Sequence, residues 1–231
     1  MRLALGKTLA ALAICGTLVQ HIPARSATPT PVQQHQRENA SSDKDAAKTY
    51  QYIRQLISKD QAAEALAALE RINEQHSSEY FFLKGRAQQE LRLNTDALAS
   101  YSVAIYLDPS SNKARINRAL VRGALQDLQG AIAEFSAVLK SQPNHTEALL
   151  NRGVTHASLN QPDAAIQDFK RALSIQPTYG AAYLNLGLVY HLKGKRTDAC
   201  KQWRLASRYG ERDASTWVLE LCSPSERRVK Q

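Results

Sequence analysis

Aromatic residues are scarce, 6% of 231, which argues against a β-sandwich packed on stacked rings. Ten glycines and eight prolines are too few for a collagen-like or low-complexity chain. Three cysteines cannot staple a disulfide scaffold, and no Cys/His spacing fits structural zinc. There is no HExxH, no GxSxG and no phosphate-binding loop, and the six histidines are scattered. His156 and His191 have no carboxylate or Cys at metal-ligand spacing. Catalysis therefore has no foothold; no enzyme activity, cofactor, metal or small-molecule substrate is expected. What the chain does have is 43% hydrophobic residues, enough for a real core, and a net charge of +9.

Residues 1–26 read as an address. Arg2 and Lys7 precede the apolar run Thr8–Val19, and small residues, Ala24 and Ser26, sit where a signal peptidase reads. As a helix that run would reach about 18 Å, against roughly 30 Å of bilayer hydrocarbon. A cleaved secretory signal is the first reading, giving an exported protein of the periplasm, thylakoid lumen or extracellular space. An uncleaved anchor, which would attach the protein to a membrane, is the second; a lipoprotein at Cys15 is disfavoured by Ile14 before it. Three of the 30 basic residues lie in 1–26, so the remainder carries 27 against 21 acidic, net +6. Residues 27–43, rich in Thr, Pro, Gln and Ser, have little to bury and read as a flexible linker.

A 34-residue period organises the rest. Pro109, Pro143 and Pro177 are 34 apart; eight residues before each stands Tyr101, Phe135 or Phe169, and four before that Ala97, Ala131 or Ala165. Ala199 and Trp203 continue the pattern, with Glu211 replacing the proline. Gly85, Ala119, Gly153 and Gly187 form a small-residue column, read as a close helix crossing that a facing alanine permits. Each unit reads as two helices, with Pro162 at a helix start and Pro177 past a helix end.

Tyr183-Leu184-Asn185-Leu186-Gly187-Leu188-Val189-Tyr190, followed by Ala199 and Trp203, resembles the tetratricopeptide repeat (TPR). The resemblance implies an all-α, right-handed solenoid with four repeats at 78–111, 112–145, 146–179 and 180–213. Residues 44–77 read as a degenerate extra pair, with Tyr50 and Ala63 in repeat columns but Gln51 and Ala67 out of type. Residues 214–231 read as a capping helix and a basic tail, Arg227-Arg228-Val229-Lys230. The phrase Asp198-Ala199-Cys200 with Trp203, Gly210 and Cys222 is similar to the ends of many exported bacterial TPR proteins.

The resemblance also implies that the first helix of each pair faces inward and grips a segment of another protein. Asn117, Asn151 and Asn185 would then form an inner column. Carboxamides both donate and accept, so the set suits the peptide groups of an extended ligand, as in the asparagine ladder of some TPR proteins. The alternative is that each Asn bonds to a neighbouring repeat. Beside them run Phe82, Ile116, Leu150 and Leu184, and Arg86, Leu120, Val154 and Leu188, lining an apolar groove unless they pack between repeats. The family's carboxylate clamp is not supported: Arg86 stands where it has Asn, and Leu150 and Val154 are not basic.

Lys113, Arg115, Arg118 and Arg122 form a basic stripe. Either the heads pair with Asp127 or Glu134, or the stripe meets acidic segments or phosphate head groups. Without residues 1–26, Cys200 and Cys222 remain, either as two buried thiols or as one bond. Nucleic acid is not expected as a partner, because net +6 is small and no stacking platform accompanies it. The sequence thus reads as a non-enzymatic scaffold binding another protein or peptide, with a basic-patch binder of an anionic membrane or acidic polymer as the alternative.

Overall fold

The computed structural model describes residues 46–72 and 77–222. The expected signal, the linker and the basic tail lie outside these residues. Eleven helices run through the described chain. α1 covers residues 46–58, and α2 Ala62–Glu70 follows it. Then come α3 Ser78–Glu90 with α4 Asn94–Leu107, and α5 Asn112–Ala124 with α6 Leu128–Ser141. α7 Thr146–Ser158 pairs with α8 Pro162–Ile175, and α9 Gly180–Leu192 with α10 Arg196–Arg208. α11 Arg212–Leu221 closes the series.

Local chemistry accounts for these boundaries. Ser77 and Asp127 accept hydrogen bonds from the backbone N–H three residues on, at Tyr80 and Gly130, capping α3 and starting α6. Pro162 opens α8, where no N–H is needed. Each turn inside a pair contains one left-handed residue: Asp60, Arg92, Gln126, Asn160 and Gly194, with φ between 55° and 72°. Only the last is glycine.

The second helices bury residues at a spacing of four and then three: Ala97, Tyr101, Ala104; Ala131, Phe135, Val138; Ala165, Phe169, Ala172; Ala199, Trp203, Ala206. The small column has a different cause from the facing alanine inferred above. A Cβ on Gly153 would lie 2.7 Å from the Phe169 ring, and one on Gly85 2.8 Å from the Tyr101 ring. The glycines therefore make room for the aromatic sixteen residues on, and Gly187 does the same for Trp203.

The end units depart from the 34-residue step. α1 and α2 begin 32 residues before α3 and α4. Ala65 and Leu69, with Ala62, and not Ala63 and Ala67, are therefore the buried residues of α2. The sequence register was two residues off there because α2 has nine residues where α4 has 14, while the following connection is longer. In this register Ile53 takes the small-residue place and Leu69 the aromatic one, both buried in one cluster. Two aliphatic side chains of equal size replace the small residue and the aromatic ring. α11 likewise starts 32 residues after α9, which places buried Ala214 in line with Ala114, Ala148 and Ala182.

Consecutive helices pack in chain order, and first helices also touch one another: α3 with α5, α5 with α7, α7 with α9. The second helices α4, α6, α8 and α10 do not pack on one another as closely among the described residues. Stacking with one set closer than the other bends the array, leaving the first helices inside and the second helices outside. The result is an α-solenoid.

Candidate functional site: the inner helix face

The asparagine column sits half-exposed on α5, α7 and α9. The Asn117 Nδ2 donates to the Lys113 carbonyl at 2.8 Å, and the Asn185 Nδ2 to the Ala181 carbonyl at 2.8 Å. Both bonds fall one turn back on the same helix, not on a neighbouring repeat. That fixes the rotamer and leaves each Oδ1 and second N–H available for a foreign peptide group. Asn151 stands between them, its own carbonyl accepting from the Thr155 hydroxyl at 2.7 Å.

The apolar columns divide. Phe82 and Ile116 are buried, and so do not line a groove. Phe82 packs against the Tyr101 ring with Lys113 Nζ 4.6 Å above its own ring centre, and Ile116 joins the cluster of Phe135 and Leu149. Leu150 and Leu184 are half-buried against the clusters beneath them. Leu120 and Leu188 are half-exposed, Val154 is exposed, and Arg86 is half-exposed on α3.

Between α5 and α7 a cavity of about 220 Å³ is walled by Leu120, Leu128, Phe135 and Val154, with Asn151 beside them. Gly123 also lines it; a Cβ there would meet nothing within 4 Å. At the starts of the same two helices lies a polar recess of about 480 Å³ between Asp108, Lys113, Asn117, His145 and Glu147. The seam of these parallel helices is thus polar at one end and apolar at the other. Glu79 bridges three successive first helices, bonding Arg54 of α1 at 2.8 Å and Lys113 of α5. Burial raises the Glu79 pKa, but the Lys113 and Arg54 hydrogen bonds and charges outweigh it and hold the carboxyl below its ordinary value.

The basic stripe of α5 is not an open patch. Glu134 pairs with Arg118, lies 3.5 Å from Arg115 and 3.9 Å from Arg122, while Asp127 takes Arg122 at 2.8 Å. Lys113 is held by Glu79. One repeat on, Arg152 forks onto Asp168 at 2.7 and 2.8 Å and reaches the Ser136 hydroxyl at 3.0 Å. Arg118 and Arg152 are 34 apart, as are Glu134 and Asp168. The α5 heads thus pair with Glu134 and Asp127, the first of the two readings the sequence left open, whereas the Arg152–Asp168 repeat of that pairing was not read.

Helix pairs of this repeat length pack with a glycine or alanine opposite each aromatic and the first helices inside. The tetratricopeptide repeat family model matches residues 116–180. The array has the tetratricopeptide-repeat fold. A crystal structure of MamA superposes with a TM-score of 0.61 at 23% identity, over 70% of this chain and 95% of that one. MamA residues 41 to the end from Desulfovibrio magneticus RS-1 give 0.64 at 19% identity, over 71% and 95%. YrrB, described as a TPR protein with an unusual peptide-binding site, gives 0.62 at 17% identity, over 80% and 97%. Among curated proteins none matches the sequence.

The TPR array ends in a covalent tie. Cys200 of α10 and Cys222, just after α11, are disulfide-bonded with Cα atoms 5.5 Å apart. Around the bond, Arg196 Nε donates to the Leu221 carbonyl at 2.8 Å and Trp217 packs on Trp203 with ring centres 5.2 Å apart. His156 Nδ1 bonds Gln161 at 2.7 Å, and His191 packs on Trp203 with ring centres 5.5 Å apart.

Proposed function

We infer that this chain is a non-enzymatic scaffold whose inner face holds an extended segment of another protein across α5, α7 and α9. The observation that carries this reading is the set of Asn117, Asn151 and Asn185, half-exposed in series on three adjacent first helices, two of them held by bonds to their own helix. Carboxamides in that position serve peptide groups whatever the ligand's side chains. The cavity of Leu120, Phe135 and Val154 then suits one aliphatic side chain of the same segment. YrrB, of the same fold, has a peptide-binding site by its description.

The setting we propose is an exported one, in assembly or recruitment of an envelope or membrane-associated complex. The signal-like residues 1–26 support it, and so does the Cys200–Cys222 bond, which persists in oxidising compartments. The alternative that made the α5 arginines a lipid or polyanion site loses its basis, since Glu134, Asp127 and Glu79 already hold those cations.

In-cell photo-crosslinking tests the groove. A photoreactive residue at Val154 should capture a partner, and Ala at Asn117, Asn151 and Asn185 together should abolish that product while the helical content stays intact. Capture only from an outer position such as Ser174, unaffected by the three substitutions, would place the interaction elsewhere and overturn the reading.

A further inference from the structure

Two units carry the surplus of positive charge: residues 180–213 have seven basic against three acidic side chains and residues 112–145 five against two. In the second of these Glu134, Asp127 and Glu79 already hold the α5 cations. The ion pairs formed by the last two units are Arg152–Asp168 and Lys193–Asp163. That leaves Lys201, Arg204 and Arg208 without a carboxylate partner among the described residues, and all three are exposed. They stand at i, i+3 and i+7, so they share one face of α10, opposite buried Trp203. Lys170, exposed on α8 and 34 residues before Arg204, extends the row to the neighbouring second helix. Second helices form the outside of the bend, so this is an outward, cationic surface.

We propose that the outer face of α8 and α10 docks onto an anionic lipid surface through Lys170, Lys201, Arg204 and Arg208. Charge complementarity selects the occupant. None of the cavities found beside the inner helices reaches this row, so an acidic peptide would have to be ordered there by charges alone. A bilayer presents its phosphates already assembled in a plane, and long flexible stems on a convex face can reach several together. Such docking leaves the inner face turned away and open to a protein partner. It does not depend on the groove reading.

Co-sedimentation of the full chain with vesicles tests it. Binding should be strong to phosphatidylcholine vesicles containing phosphatidylglycerol, weak to phosphatidylcholine alone, and lost at high salt. Each Lys or Arg near an anionic leaflet contributes about fivefold in affinity, so K201Q/R204Q/R208Q should bind about 100-fold more weakly. The same loss of three charges placed on the distant, exposed Lys59, Arg71 and Arg92 should matter little. Salt-insensitive binding unchanged in the triple variant would trace attachment to the N-terminal apolar run and overturn the proposal. Binding of polyglutamate but not of vesicles would overturn it in favour of an acidic protein partner.

Discussion

Single side chains decide what each helix pair tolerates. Arg152 and Asp168 form a largely buried, two-pronged pair that also holds Ser136 of the preceding unit. Removing one partner strands the other charge in a low-dielectric site, whereas replacing both does not. Asp168→Asn should therefore cost about 3–5 kcal/mol of unfolding free energy, and an Arg152→Leu, Asp168→Leu double change clearly less. Urea melts of the two variants make the comparison; a double change as damaging as the single one would show that the loss comes from packing and not from a stranded charge. The glycines obey the same logic from the other side. Gly85, Gly153 and Gly187 are required because an aromatic ring occupies the space a Cβ would need.

At the scale of the element, helices form from amphipathic periodicity, but the turns between them carry a cost. Gln126 takes φ 64° at the end of α5, a conformation that a side chain disfavours by about 1–2 kcal/mol. Gly194 fills the equivalent place before α10 without that penalty. Gln126→Gly should stabilise the protein by up to about 1 kcal/mol, the full relief being offset by the greater chain entropy glycine loses on folding. Thermal melts would check the sign. A fall in Tm would mean that the Gln126 side chain holds something of its own.

The molecule as a whole is a series of units that touch only near neighbours, so stability is transmitted locally. Its last element is short: α11 has ten residues, too few to persist alone, and only Ala214 of them is fully buried. Closing the loop between Cys200 and Cys222 contributes roughly 3 kcal/mol in the chain-entropy account. Reduction should therefore raise amide exchange in α11 and the facing parts of α9 and α10, while α3 to α6 stay protected. Uniform loss of protection along the array would instead show one cooperative unit. Tryptophan fluorescence gives a second readout, since Trp203 and Trp217, the only two in the chain, pack together at this end.

The fold class and the repeat were written in the chain, because Ala97, Tyr101 and Pro109 recur with their counterparts at a fixed period and a helix pair needs just those buried positions. The column of Asn117, Asn151 and Asn185 was legible for the same reason: identical places in identical units share a face. Three things were not. The two-residue shift of the first pair came from a shortened α2, and periodicity carries no information about where a period breaks. Phe82 and Ile116 were credited to the groove, yet their burial depends on how far the next unit leans over them. The charges were left open. For Arg115, Arg118 and Arg122 the sequence offered both pairing with Asp127 or Glu134 and an open patch, and only the packing of α6 on α5 puts Glu134 among them; Lys201, Arg204 and Arg208 look ordinary until the bend of the array puts them on its outside. A repeat specifies its own interior through short-range pattern; which charges are cancelled and which face outward is set by distance through space, and that exists only once the units are stacked.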